Sequence, residues 1–299
     1  MPRVDAHVHV FTRECAEFPR VTSDWLPPER EEPVEKLLEQ MDAHEIDQAV
    51  LVQIGGNEIE QHAYLLRCLK DYPDRFLGIG LIPPDCEKPE EHMDRLADGT
   101  GIIGFRLSTI GGPRDPFSDI EVTDFKTWPI WKHAAEKDYV IWLYCRARDA
   151  FQTPWILEEL PQLRVAMNHL AVTPGKGKLR IDEKGRPQID VAGYSIEKHT
   201  TWRFTPYENV TVLLSGQYAF SRQPFPYEEI AGWSSALYGS FGPDRMMWAT
   251  DFPWILDDPG YGPLTSIIKK NLPDLSDKEH DAILGNTAGR YLRFPPVGP

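Results

Sequence analysis

Two histidines in the stretch DAHVHV, His7 and His9, stand two residues apart in an apolar run near the start of the sequence. Side chains alternate between the two faces of a strand, so both imidazoles are expected on one face. The apolar residues expected on the opposite face are Val4, Ala6, Val8 and Val10. Paired imidazoles can bind a divalent metal ion or contact a substrate oxygen, so the spacing indicates a functional site.

Two further polar residues end other apolar runs of the sequence. MNHL carries His169, and WATDFPW carries Asp251. If these runs are strands whose carboxyl ends meet at one rim, three imidazoles and one carboxylate converge there. Such a group is a plausible ligand set for one zinc-like divalent ion with room for water. The predicted metal ligands are His7, His9, His169 and Asp251.

Eight short apolar runs rich in β-branched residues are predicted to be strands. They are residues 3–10, 48–54, 75–82, 101–107, 139–145, 163–170, 210–216 and 245–251. Helical patterns such as PVEKLLEQMDAHEI lie between most of them. Alternating strands and helices predict parallel pairing, and eight strands predict an α/β fold closed into a single (β/α)8 TIM barrel. An open doubly wound sheet is the alternative, although no Gly-rich phosphate loop follows the first run.

Composition and charge narrow the class of protein. The apolar content of 41% and charged content of 26% predict one globular domain over residues 1–299, with a hairpin insertion at 171–195 over the barrel mouth. A net charge of -14 argues against nucleic acid as a partner, and no apolar run reaches the length of a membrane span. Four scattered cysteines predict free thiols and a cytoplasmic location. A small molecule is the expected partner, and formation of a homo-oligomer stays open.

Six residues near the predicted strand ends are candidate substrate contacts. Arg106 follows the apolar run GIIGF, and a guanidinium there would bind a carboxylate through two hydrogen bonds. Arg106 therefore predicts an anionic substrate, and a salt bridge within the barrel is the alternative. The other candidates are Gln53, Tyr144, Arg146, Ser215 and Trp254.

Taken in order, these motifs resemble the amidohydrolase superfamily, specifically its amidohydrolase-related branch of lactonases and decarboxylases. The motifs are HVH, MNHL, GPDRMMWATDFPW and GNTAGRYL, and the resemblance spans nearly the whole chain. It implies a (β/α)8 barrel in which Asp251 is the general base. It also implies that His7, His9 and His169 bind one divalent metal or contact the substrate carbonyl directly.

The sequence departs from the two-metal members of the superfamily. Those members bridge their ions with a carboxylated lysine, whereas the fifth predicted strand here ends in Tyr144 and Cys145. A binuclear centre is therefore not expected. The expected cofactor is one divalent ion, with zinc favoured, and a site that works without metal is the alternative.

The leading hypothesis is a hydrolase that opens a small carboxylated or sugar-acid lactone. Asp251 would take a proton from water as the water attacks the ring carbonyl, while the imidazoles or their ion stabilise the oxyanion. One alternative is a metal-dependent, non-oxidative decarboxylase of an aromatic or unsaturated carboxylic acid. The other is a barrel that binds a metabolite without turnover.

Overall fold

A computed structural model of the chain describes residues 2–83, 85–115, 117–171, 179–189 and 196–296. Eight parallel strands follow one another around a sheet in the order β1-β2-β3-β4-β5-β6-β9-β10, and each of the eight predicted runs contains one of them. The strands are β1 (Val4–Val8), β2 (Gln48–Val52), β3 (Phe76–Leu81), β4 (Ile102–Leu107), β5 (Val140–Leu143), β6 (Val165–Met167), β9 (Val210–Leu214) and β10 (Met246–Trp248). The predicted (β/α)8 barrel is confirmed, and the open sheet is not.

Helices lie between the strands, as the alternating pattern predicts. The α-helices are α1 (Val34–Ala43), α2 (Ala63–Asp71), α3 (Pro89–Ala97), α4 (Trp128–Lys137), α5 (Ala147–Glu159), α6 (Gln217–Phe220), α7 (Glu228–Phe241), α8 (Tyr261–Leu264), α9 (Ile267–Asn271), α10 (Asp277–Asp281) and α11 (Thr287–Leu292). Segments of 3-10 helix span Ile59–His62, Val122–Asp124, His169–Ala171, Ile196–Phe204 and Pro243–Arg245, and one turn of π-helix spans Ala282–Asn286. Within the described ranges, no helix is long and apolar enough to cross a membrane.

The sheet closes where the chain leaves β10 and meets β1. The Asp251 amide donates to the His7 carbonyl at 3.0 Å, and the His9 amide donates to the Phe252 carbonyl at 2.7 Å. Asp5 adds a buried carboxylate to this seam, because it accepts hydrogen bonds from the Thr250 amide at 2.9 Å and the Tyr261 hydroxyl at 2.9 Å. Closure therefore places His7 of β1, and His9 just beyond it, beside the acid that follows β10.

The register of β1 against β2 contains an irregularity. Asp5 pairs with Ala49 and Val8 pairs with Leu51, so three steps along β1 oppose two steps along β2. One extra residue in a strand is a β-bulge, and it reverses the alternation of side chains beyond it.

This bulge corrects one expectation about β1. Val4 and Ala6 belong to a buried cluster that draws residues from around the sheet, which identifies it as the barrel interior. Val8 and Val10 belong to the separate cluster between barrel and helices. The expectation that all four share one face is therefore wrong, because the faces change over between Asp5 and Val8.

A small antiparallel hairpin stands outside the barrel. It consists of β7 (Leu179–Ile181) and β8 (Pro187–Ile189) and falls inside the predicted insertion at 171–195. Lys184 Nζ lies 3.0 Å from Asp258 Oδ2, and Arg186 Nη1 donates to the Asp258 carbonyl at 2.8 Å. These bonds hold the hairpin against the loop that follows β10. Residues 172–178 and 190–195 of the predicted insertion lie outside the described residues.

Candidate active site

Tight backbone turns place the acid and one imidazole at the carboxyl end of the barrel. His169 lies two residues beyond β6 with a φ of 46°, and Asp251 lies three residues beyond β10 with a φ of 63°. Non-glycine residues rarely adopt the left-handed region, and where they do the surrounding structure holds them, often at functional sites. These conformations accompany the turning of both side chains toward the barrel mouth.

The four predicted catalytic residues come together there, all of them buried. The Nε2 atoms of His7 and His9 lie 3.7 Å and 3.6 Å from Asp251 Oδ1. The centre of the His7 ring lies 4.9 Å from the centre of the His9 ring and 4.8 Å from the centre of the His169 ring. The sequence therefore identified a real cluster, formed from residues far apart in the chain.

The two oxygens of Asp251 have different surroundings. The Tyr218 hydroxyl donates to Oδ2 at 2.7 Å, whereas Oδ1 is buried and accepts no hydrogen bond from any described residue. Burial raises the pKa of Asp251 to about 7, although the Tyr218 hydrogen bond and the Arg106 charge both lower it. Oδ1 is thus a free acceptor on a carboxyl group that exchanges its proton near neutral pH.

The imidazoles around it are uncharged at neutral pH. Burial lowers the pKa of His9 to about 3, and it lowers the pKa values of His7 and His169 well below the ordinary histidine value. The positive charge of Arg106 lowers each of these pKa values further. His169 Nδ1 lies 3.0 Å from Ser215 Oγ, which fixes the orientation of its ring.

His7 and His9 are part of a longer hydrogen-bonded series. Trp142 Nε1–H donates to His7 Nδ1 at 2.9 Å. The Nε2 atoms of His7 and His9 are 3.2 Å apart, and His9 Nδ1 lies 2.8 Å from the Val52 carbonyl oxygen. Sequence reasoning missed Trp142 because an apolar strand position normally indicates core packing. The available signal was its position two residues before Tyr144 in the predicted fifth strand, which puts both side chains on the same face.

A cavity of about 270 Å³ opens onto this cluster. His9, His169 and Asp251 line it, whereas His7 lies behind them. This volume is at the small end of the range for ligand pockets, so the cavity suits a small substrate. Predicted substrate contacts among the lining residues are Gln53, Arg106, Tyr144 and Trp254, and the hairpin contributes Pro187 and Ile189.

Arg106 is the only lysine or arginine among the described residues that line the cavity. Its guanidinium carbon lies 5.2 Å from the centre of the Tyr144 ring, and it forms no salt bridge within the described part of the chain. The Tyr144 hydroxyl is also buried without a hydrogen-bond partner there. The alternative of an internal salt bridge for Arg106 is therefore not supported. The Arg106 guanidinium and the Tyr144 hydroxyl are both available to a ligand.

The other candidate contacts have different surroundings. The Gln53 side-chain amide donates to the carbonyls of Ile54 at 2.9 Å and Gln61 at 2.7 Å, so its nitrogen is already committed. Ser215 lies behind His169 and does not line the cavity, and Arg146 is exposed outside it. Tyr218 lines the cavity and escaped sequence reasoning, because nothing in SGQYAF marks a tyrosine as a partner for an acid.

Three of the four predicted metal ligands have the spacing of a metal site. His7, His169 and Asp251 each offer one ligand atom, and these atoms lie within 4.8 Å of one another. His9 is not part of this group. The spacing alone is compatible with one divalent ion.

Comparison with known proteins decides the family. The model of the amidohydrolase family matches residues 4–294. The chain belongs to the amidohydrolase family. No curated protein matches it.

Solved structures share the barrel of this amidohydrolase. A zinc-bound amidohydrolase from Burkholderia multivorans is 19% identical with a TM-score of 0.74, covering 99% of this chain and 100% of that one. A probable 2-pyrone-4,6-dicarboxylic acid hydrolase from Acinetobacter baumannii, with citric acid bound, is 19% identical with a TM-score of 0.72 over 98% and 100%. A 5-carboxyvanillate decarboxylase from Sphingomonas paucimobilis is 15% identical with a TM-score of 0.60 over 98% and 99%. At these identities the likeness shows the fold.

Proposed function

We propose that this amidohydrolase opens a small lactone that carries a carboxylate, with Asp251 as the general base. One observation carries the proposal: Asp251 Oδ1 and the Arg106 guanidinium face the same small cavity, and neither has a hydrogen-bond or salt-bridge partner, respectively, among the described residues. The first suits activation of water, and the second suits a carboxylate on the substrate. The family and its structural neighbours comprise hydrolases and decarboxylases, which supports an enzymatic role.

In the proposed reaction, Arg106 binds the substrate carboxylate and sets the ring against the histidines. Ionised Asp251 takes a proton from water as the water oxygen bonds to the lactone carbonyl carbon. The carbonyl oxygen becomes an oxyanion, which accepts hydrogen bonds from the Tyr144 hydroxyl and from His169 Nε2–H, with Ser215 bonded to the other ring nitrogen. The ring C–O bond then breaks, and protonated Asp251 gives its proton to the leaving alkoxide.

The surroundings of Asp251 suit this exchange of roles. A general base works best when its pKa lies near the working pH, because it must both accept and return a proton. Burial brings the pKa of Asp251 to about 7, which meets that condition. In this scheme His7 and His9 pack beside Asp251, with their Nε2 atoms 3.7 Å and 3.6 Å from Oδ1.

The spacing of His7, His169 and Asp251 favours a second candidate, a non-oxidative decarboxylase of an aromatic or unsaturated carboxylic acid. The predicted zinc ion would be held by these residues and would act as a Lewis acid toward a substrate oxygen.

For either function we propose a single barrel domain over residues 1–299, with the insertion at 171–195 over the mouth. The unpaired state of all four cysteines supports the proposed cytoplasmic location.

A substrate panel separates these functions. Carboxylated lactones, uncharged lactones of the same ring size and carboxylated phenols are incubated with the purified protein, and acid release is compared with release of carbon dioxide. We expect acid release from carboxylated lactones, with kcat/KM at least about 10-fold above that of the uncharged lactones, since Arg106 binds the charge. Carbon dioxide released from the phenols would identify the decarboxylase. No turnover of any compound would favour a binding protein.

A further inference from the structure

We infer that Trp142 and the Val52 carbonyl fix the tautomers of His7 and His9, so that this pair is a directed hydrogen-bond chain and not a metal-binding pair. The inference concerns the site of the proposed hydrolysis, and its consequence for turnover rests on that proposed function. It assigns Trp142 a positioning role, acting through His7 and His9.

The two end groups of this hydrogen-bond chain, Trp142 and the Val52 carbonyl, determine its direction. An indole N–H can only donate, so the contact of 2.9 Å from Trp142 requires a lone pair on His7 Nδ1. A carbonyl oxygen can only accept, so the contact of 2.8 Å with Val52 requires a proton on His9 Nδ1. Each requirement comes from a group that cannot reverse its part in the hydrogen bond.

The middle of the chain follows from these ends. An imidazole keeps at least one N–H, and for His7 the remaining position is Nε2. The two Nε2 atoms are 3.2 Å apart, a distance that accommodates one proton between them. His7 Nε2–H therefore donates to the lone pair of His9 Nε2. Every hydrogen bond from Trp142 to Val52 then points the same way.

This arrangement conflicts with metal binding by His7 and His9, and therefore with the second candidate function, in which His7 would help to hold a zinc ion. A metal ligand must present a free lone pair, yet His7 Nε2 holds a proton and the lone pair of His9 Nε2 is occupied. The other tautomer of His7 would set its Nδ1–H against the N–H of Trp142 at 2.9 Å, leaving buried donors without acceptors. His169 and Asp251 remain, and two ligands fall short of the three protein ligands usual at catalytic zinc.

The hydrogen-bond chain from Trp142 to Val52 also limits which atoms of the cluster are free to act as a base. Because the His9 Nε2 lone pair already accepts a hydrogen bond from His7 Nε2–H, it is not available to a water molecule. Asp251 Oδ1, 3.6 Å away, accepts no hydrogen bond from any described residue and remains available to water. The tautomers fixed by Trp142 thus leave the proposed base function to the carboxylate.

The test measures tautomers and zinc binding directly. Nitrogen-15 NMR of the histidine-labelled full chain distinguishes Nδ1–H from Nε2–H, and the signals are assigned by their loss in His7→Gln and His9→Gln. Isothermal titration with zinc is run on the wild type, on Trp142→Phe and on the control Trp248→Phe. Trp248 is equally buried and donates to the Leu264 carbonyl at 3.0 Å, outside the site.

We expect His7 as Nε2–H and His9 as Nδ1–H in the wild type. Trp142→Phe frees His7 to change tautomer, so we expect zinc to bind it at least 10-fold more tightly than the wild type or Trp248→Phe. A wild-type His7 protonated at Nδ1, or wild-type zinc binding as tight as that of Trp142→Phe, would overturn the inference. The wild-type spectrum decides the tautomers even if Trp142→Phe does not fold.

Neither readout needs a substrate, so this test and the substrate panel fail separately. The expected tautomers together with no lactone turnover would remove the proposed function and leave the inference in place. Lactone turnover by a protein whose His7 carries its proton on Nδ1 would do the reverse.

Discussion

Tyr218 is expected to set the pH at which Asp251 becomes an active base. Its hydroxyl donates to Asp251 Oδ2 at 2.7 Å, and a hydrogen bond to the charged form of a carboxyl group lowers its pKa. The pKa of Asp251 is about 7 with this bond in place. Replacing Tyr218 by phenylalanine removes the donor and keeps the ring, so the pKa of Asp251 should rise.

The size of the effect follows from the strength of the bond. Hydrogen bonds to charged groups contribute about 1.5–3 kcal/mol, and about 1.4 kcal/mol corresponds to one pKa unit, so the pKa of Asp251 should reach about 8–9. The ionised fraction at pH 7 would then fall from about one half to about 1–10%, which predicts a loss of about 5- to 50-fold in kcat/KM. Activity should return as the pH rises above the new pKa.

The assay is the pH profile of kcat/KM on the best carboxylated lactone, for wild type and Tyr218→Phe. Tyr261→Phe is the matched control, because the buried Tyr261 hydroxyl also donates to a buried carboxylate, Asp5 Oδ2, at 2.9 Å. Asp5 does not line the cavity, and its negative charge raises the pKa of Asp251. A less ionised Asp5 can therefore only lower the pKa of Asp251, so the control should not show the rise expected of Tyr218→Phe. A Tyr218→Phe profile that loses activity equally at every pH would refute the proposed link between Tyr218 and the ionisation of Asp251.

Two further changes test substrate charge and barrel closure. Arg106→Met should raise KM for a carboxylated lactone by about 10- to 100-fold, the worth of a charged hydrogen bond, and leave KM for uncharged lactones unchanged. Loss of the Arg106 charge also raises the pKa of Asp251, so KM is compared at a pH at which Asp251 is ionised. An equal effect of the exposed Arg146→Met would contradict this role. The Asp5 carboxylate accepts hydrogen bonds from Thr250 and Tyr261, and Asp5→Asn replaces one of its oxygens by an NH2 group that can only donate. The free energy of unfolding should therefore fall by about 1–3 kcal/mol. Calorimetry would show this as a lower Tm, and an unchanged Tm would count against the role of Asp5 in closing the sheet.

The barrel could be predicted because burial on both faces gives its strands continuous apolar sequences. Runs such as QAVLVQI and VTVLLSG differ clearly from the amphipathic helices between them, and each predicted run contains an observed strand. The acid and imidazoles could be predicted for a related reason: polar residues that end such runs lie together at the carboxyl rim of a parallel barrel.

What escaped prediction depends on geometry that single residues do not encode. The bulge between Asp5 and Val8 depends on the register against β2, so simple alternation placed Val4 and Ala6 on the wrong face. Trp142 looks like core because its indole is apolar, and only the folded barrel sets its N–H against His7. Tyr218 lies in the four-residue helix α6 after β9, which is too short for a periodic pattern to relate it to Asp251.

The identity of the base is tested most directly by kcat of Asp251→Asn on the best carboxylated lactone, with circular dichroism to show that the barrel is intact. The amide keeps the shape of the side chain and can accept no proton from water, so we predict a fall of about 100- to 10,000-fold. A folded Asp251→Asn protein that turns over the lactone at the wild-type rate would contradict the account.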